Sequence, residues 1–240
     1  NPNDSVEHRF IGNLLYDPTR TLTFDLDLQH WWMDYDRIER DYASSQIRIV
    51  GQKRYKYFAF DAGVGYHTRD YDNPEIEDSD IIAYKVSVLF QNPPPPEGRR
   101  YLGNRFVRAR THGYLAFERN FNNYGTDYIA HRLTWDVGHV FVGKIQARLK
   151  GYYQMSDYET ARGITPAGNL EIRDDDTLYA AASVGYLIRD DMDITFTAGI
   201  EERDSNIAGG SFDNEFMMLM YNWNFDFQSR GGYTEEGIYY

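Results

Sequence analysis

The chain reads as an all-β protein whose strands run antiparallel and pair in sequence order. Three features carry that reading: a side-chain alternation of period two, prolines confined between the alternating segments, and connections that are short and long by turns. In TLTFDLDLQHWWM, residues 21–33, Leu22, Phe24, Leu26 and Leu28 share one face, and Thr23, Asp25, Asp27 and Gln29 share the other. The prolines at 2, 18, 74, 93–96 and 166 all fall outside the expected strands, as they should, because proline has no N–H to give to a ladder. No segment carries a convincing helical period.

Taken in order, about eleven strands are expected. The first, 5–16, runs into a turn at Asp17, Pro18 and Thr19, and the second, 20–33, is the alternating segment above. The third, 44–51, stops at a turn over 51–54, and the fourth, 55–68, places Phe58, Phe60, Ala62, Val64 and Tyr66 in one row. The fifth, 80–91, repeats this with Ile82, Tyr84, Val86, Val88 and Phe90. The sixth, seventh and eighth, 104–119, 126–135 and 138–155, carry basic residues on their polar rows, with a turn at Asp136, Val137 and Gly138 between the last two. The ninth and tenth, 176–188 and 191–203, meet at Arg189, Asp190 and Asp191, and Met192, Ile194, Phe196, Ala198 and Ile200 alternate along the tenth. The eleventh, 214–227, has the longest apolar row, from Met217, Leu219 and Tyr221 to Trp223, Phe225 and Phe227. The other connections, at 34–44, 69–80, 119–127, 156–176 and 203–213, are long, polar and acidic.

An up-and-down meander with two such unlike ends is the layout of a transmembrane β-barrel with short periplasmic turns and long acidic extracellular loops, here of about 12 strands. One domain over 1–228 is expected, with 229–240 as a C-terminal tail or final strand. At 42% hydrophobic and 16% aromatic, the chain holds too much buryable surface for a disordered acidic polymer. No run approaches eighteen apolar residues, so a transmembrane helix is not expected, and NPNDSVEHRF lacks the layout of a signal peptide. The absence of cysteine excludes disulfides, thiolate metal sites and thiol nucleophiles. A formal charge of -12 without a long basic stripe argues against nucleic acid.

A soluble sandwich alternates too, so the makeup of the polar row must decide. That row holds Arg108, Arg110, His112, Arg132, Lys144, Arg148 and Lys150 on strands six to eight, and Asp25, Asp27, Asp61, Asp193, Glu201 and Asp226 on others. Each Arg or Lys turned to lipid at mid-depth would cost about 2–4 kcal/mol, so these residues must face water or one another. The expectation is a lumen with a basic wall opposite an acidic wall, and Leu26, Phe60, Val86, Leu115, Ile145, Phe196 and Leu219 against lipid. Aromatic residues at strand ends, among them Tyr16, Trp31, Trp32 and Trp135, suit the girdles at a membrane interface.

The runs EHRFIGNLLYDPTRTLTFDLDLQHWWMDYD and DDDTLYAAASVGYLIRDDMDITFTAGIEERDSN share a texture. In each, a strand ends in a Tyr-Asp-Pro or Arg-Asp-Asp turn, and the next strand runs into a loop rich in Asp, Arg and Tyr. This texture resembles the β-barrel porin type 2 family of Gram-negative outer membranes. The resemblance implies a place in the bacterial outer membrane, contact with its lipid and lipopolysaccharide, and a part in moving polar solutes or polysaccharide, often beside exopolysaccharide export. An upstream strand, or residues 233–240, would supply a twelfth strand.

Catalytic and metal chemistry are weaker readings. A barrel-borne hydrolase needs a Ser beside a His; His112 is expected inward, with Ser87 and Ser183 on other strands, and a hydrogen-bonding role suits it better. His67 near Asp70 and Asp72 could activate water at a rim, and the acidic groups from Asp70 to Asp80 and at Asp174, Asp175 and Asp176 could offer oxygens to calcium. Solvated loop tips explain both, so no enzyme activity, metal or cofactor is expected. The run Pro93, Pro94, Pro95 and Pro96 favours a polyproline II rod presenting Arg99, Arg100 and Tyr101 to a periplasmic or surface protein partner. It supports the alternative of a non-conducting structural or docking barrel.

Overall fold

The computed structural model describes residues 5–35, 41–73, 78–92, 111–122, 127–141, 144–189 and 192–223. They form one antiparallel sheet of eleven strands in strict sequence order. The strands are β1 (Ser5–Thr19), β2 (Leu22–Tyr35), β3 (Tyr42–Arg54), β4 (Phe58–Tyr71), β5 (Ser79–Asn92), β6 (Thr111–Asn122), β7 (Tyr128–Phe141), β8 (Ile145–Ile164), β9 (Leu170–Arg189), β10 (Met192–Ser205) and β11 (Phe212–Trp223). No helix occurs among the described residues. The outer edges of β1 and β11 have no strand partner among them, so the sheet is not closed.

Three boundaries differ from the sequence reading, each for a local reason. Pro18 lies inside β1, where the ladder slips between the Tyr16–Phe24 and Thr19–Leu22 pairs. An irregular step on an edge strand spares the missing N–H. Asp136, Val137 and Gly138 do not turn: β7 continues to Phe141, and Lys144 N–H donates to Phe141 O at 3.1 Å. Gly138 stays in the strand because the His112 ring lies across it, and a Cβ there would stand 2.2 Å from His112 Cε1. Residues 156–176 are not a loop either, since β8 and β9 continue as a hairpin beyond their neighbours β7 and β10. Its tip closes with Thr165 N–H to Asn169 O at 2.8 Å and Gly168 at φ +86°. The connection from β10 to β11 braces it through Ala208 N–H to Ile164 O, 2.8 Å, and Asn206 Nδ2 to Ile172 O, 2.7 Å. Polar residues on both faces of this overhang gave it the composition of a loop.

The register staggers steadily across the sheet. One row of backbone partners runs through Leu15, Asp25, Val50, Gly63, Lys85, Glu118, Arg132, Gln154, Thr177, Arg203 and Phe212. It meets β1 four residues from Thr19 but β11 eleven residues from Trp223, although both are ends on the short-turn side. At ~3.3 Å per residue and ~4.8 Å between strands, that climb corresponds to strands tilted by roughly 25°.

The two faces are unlike. Phe60, Val86, Leu115, Ile145, Phe196 and Leu219 are exposed on one face, which Leu26 shares half-buried. On the other face Ala59, Ser87, Leu89, Ala116, Glu118, Asp136, Thr177 and Ala181 are buried. In a single layer no second sheet can produce that difference. It arises from curvature, which crowds side chains on the concave polar face and splays them on the convex apolar one.

Glycine is required at one crossing of the polar face. The Phe216 ring reaches over Gly199 to stack on Tyr179, 5.9 Å between centroids, and a Cβ at Gly199 would lie 2.6 Å from Phe216 Cζ. Gly199→Val is expected to destabilise the sheet by about 1–3 kcal/mol, measured by denaturant unfolding, because overpacking forces the ring off its neighbour.

Candidate functional site

The polar face is the candidate site, and period-two alternation puts its side chains there. Three cross-strand ion pairs hold its β2–β8 part: Arg48 with Asp27, Lys85 with Glu118, and Arg148 with Asp136. The first two are direct ladder partners, while Arg148 reaches diagonally, its Nε donating to Asp136 Oδ1 at 2.7 Å. His112 Nε2 approaches the same carboxylate at 3.6 Å. Asn13 Nδ2 donates to Asp25 at 2.7 Å and also to Asp27. Asp61 accepts from Ser87 Oγ at 3.4 Å, and Asp193 accepts from Thr195 Oγ1 at 2.8 Å.

The expected basic and acidic walls lie only partly within the described residues, and there the two signs interleave. Over β2–β8 the signs alternate between neighbouring strands, and buried Glu118 and Asp136 interrupt the basic side. Lys144 precedes β8 and stands 5.7 Å from the ring of Tyr186, a residue of the apolar face. Lys150 and Arg132 are on the polar face, over the rings of Tyr179 and Tyr152 at 5.9 and 4.8 Å. Glu201 is the ladder partner of Tyr179. Arg108, Arg110 and Asp226 lie outside the described residues, as do Pro93, Pro94, Pro95, Pro96, Arg99, Arg100 and Tyr101.

Sequence reasoning missed two constellations. One is the stack Tyr152–Tyr179–Phe216, with centroids 5.5 and 5.9 Å apart and planes within 16° of parallel. The signal was present as aromatic residues on polar rows, but it needed register to be seen. The other is a serine–histidine contact, Ser44 Oγ to His67 Nε2 at 2.7 Å. Ser44 also donates to Thr68 O at 2.8 Å and is 1% exposed, so its proton is committed to a carbonyl and the imidazole donates to it. That orientation holds a strand in place and does not activate a nucleophile.

The other chemical candidates come apart by alternation. His67 points to the polar face and Asp70 to the opposite one, where Thr68 Oγ1 donates to it at 3.1 Å. Asp174 and Asp176 are exposed while Asp175 between them is buried. Among the described residues no three His, Asp or Glu side chains converge on a point that could hold a metal ion. No family model matches the chain, and no curated protein or solved structure was found to be similar to it.

On the overhanging hairpin, Arg173 grips Asp175 with two hydrogen bonds, 3.0 and 2.5 Å, and lies over the Tyr158 ring at 5.0 Å. Burial pushes the Asp175 carboxyl up, but hydrogen bonds from Arg173 and Ser205 and the charges of Arg173 and Arg203 together hold the group below the usual carboxylate range. A depressed acid stabilises the fold fully above its unfolded pKa of about 3.9, and the contribution is lost as pH falls through the lower folded value. Proteolysis of the hairpin is therefore expected to be flat from neutral pH down to about pH 4 and to rise below it. Asp175→Asn should abolish that acid dependence.

Proposed function

We propose that the chain is a bacterial outer-membrane β-barrel of about twelve strands that passes polar solutes through an interior lined by the polar face. The observation that carries this reading is the sheet's one-sided chemistry: a convex face of exposed Phe, Leu, Ile, Val and Tyr backed by a concave face of hydrogen-bonded charge. A sheet of this size with its large apolar residues in water would aggregate, whereas hydrocarbon covers that face without a second protein layer. The stagger supports closure, because strands joining into a barrel must tilt, typically by 35–45°. Strands of 12 residues or more exceed the length needed to cross the apolar band. The texture shared with the β-barrel porin type 2 family agrees with this and favours polysaccharide among the solutes, with outer-membrane lipid and lipopolysaccharide around the barrel.

The interleaved ion pairs favour a second reading, a non-conducting barrel that anchors a surface or periplasmic partner, since paired charges can interlock across a narrow interior. Planar-bilayer recording separates the two. Passage requires discrete conductance steps from purified protein, and a barrel that inserts but never conducts favours the anchor. Insertion has its own check: Val86→Arg should reduce assembly into vesicles strongly, at about 2–4 kcal/mol, whereas Ser87→Arg on the opposite face should be better tolerated.

A further inference from the structure

Six cations along the middle of the polar face from β3 to β10 fall into two classes. Arg48, Lys85 and Arg148 each contact a carboxylate. Arg132, Lys150 and Arg203 do not: among the described residues no carboxylate lies within ion-pair distance of them. They rest instead on aromatic rings and an amide. Arg132 Nε donates to Gln154 Oε1 at 2.8 Å and its guanidinium covers Tyr152, Lys150 stands over Tyr179, and Arg203 lies 5.0 Å from the Phe212 ring.

Register makes a frame of them. Arg132 and Arg203 share one row, linked through Gln154 and Thr177. The next polar-face row toward the short turns carries Tyr152, Tyr179 and Glu201, and the one after it carries Lys150, Gly199 and Phe216. Three cations thus surround a stack of three rings; of the nearby acids, Glu118 and Asp136 are tied to Lys85 and Arg148, and Glu201 stands beside Tyr179. Arg132 spends Nε and one Nη2 proton on Gln154 Oε1, and its outer Nη1–Nη2 edge, like the Arg203 fork, remains able to take a carboxylate bidentately.

We infer that the sector of β7–β11 centred on Tyr152 and Tyr179 is a binding site for small aromatic carboxylates, whose anion meets the Arg132 and Arg203 forks and whose flat body packs on the ring stack. This deepens the proposed function by naming a solute class, and it rests on that reading only for passage.

Calorimetry on the purified chain in detergent tests it with three probes: benzoate, acetate, which keeps the charge without the ring, and benzyl alcohol, which keeps the ring without the charge. Benzoate is expected to bind at least about tenfold more tightly than either. Arg132→Gln with Arg203→Gln should weaken benzoate about tenfold or more, Tyr179→Ala should weaken benzoate but not acetate, and Arg9→Gln, at an exposed position of β1, should leave binding unchanged. Should the double variant fail to fold, Lys150→Gln alone is expected to weaken benzoate by a smaller factor. Benzoate that binds no better than benzyl alcohol, does not bind, or is indifferent to these changes overturns the inference. Benzoate binding without conductance would uphold the site while overturning passage.

Discussion

A single sheet has two faces and nothing of its own to lay over either. Each of the eleven strands here pairs with its sequence neighbours, and no second layer exists among the described residues, so everything else about the molecule follows from how each face is satisfied. The polar face satisfies itself: register sets Asp27 opposite Arg48 and Glu118 opposite Lys85, Arg148 reaches diagonally to Asp136, and small residues such as Ala59, Ala116 and Ala181 leave room between them. The apolar face cannot. Phe60, Val86, Leu115 and Phe196 project side by side with only solvent or hydrocarbon to meet them. Under the proposed function, hydrocarbon is what covers that face.

The same constraint sets the energetics of the interior. A carboxylate as shielded as Asp136 or Glu118 is tolerable only when paired, and losing one partner leaves a buried charge at a cost of about 3–5 kcal/mol. The paired charges of β2–β8 therefore fix the shape of the concave face. The cations of β7–β11, held by aromatic faces and an amide, carry charge not needed for that purpose. The two kinds of cation meet on β7 and β8, where, among the described residues, Arg148 is paired and Arg132 and Lys150 are not.

Alternation revealed much of this, because a period of two depends only on neighbours in the chain. It assigned Phe60, Val86 and Leu219 to one face and Asp27, Asp61, Arg132 and Arg148 to the other. It failed where long-range partners decide. Asp136 and Gly138 have the composition of a turn, but ladder pairing to β6 and β8 keeps them in a strand, with Arg148 on the Asp136 carboxylate and the His112 ring in the space a Gly138 side chain would fill. Residues 156–176 have the polarity of a loop because both faces of an overhanging hairpin meet water. Pairing was hidden for the same reason: the sequence shows which residues share a face, but not that Gly199 opens the way for Phe216 to reach Tyr179. Arg203 stayed out of view because its partners lie on another strand.

The central claim is that the convex face of the sheet lies in lipid. Because the chain has no cysteine, single cysteines can be placed along β5 from position 81 to 90 and the protein labelled in vesicles with a water-soluble thiol reagent. A lipid-facing apolar surface requires protection at 82, 84 and 86 and labelling at 81 and 85, the half-exposed positions of the polar face on this strand. Fast labelling at 82, 84 and 86 would put the apolar face in water and contradict the membrane reading.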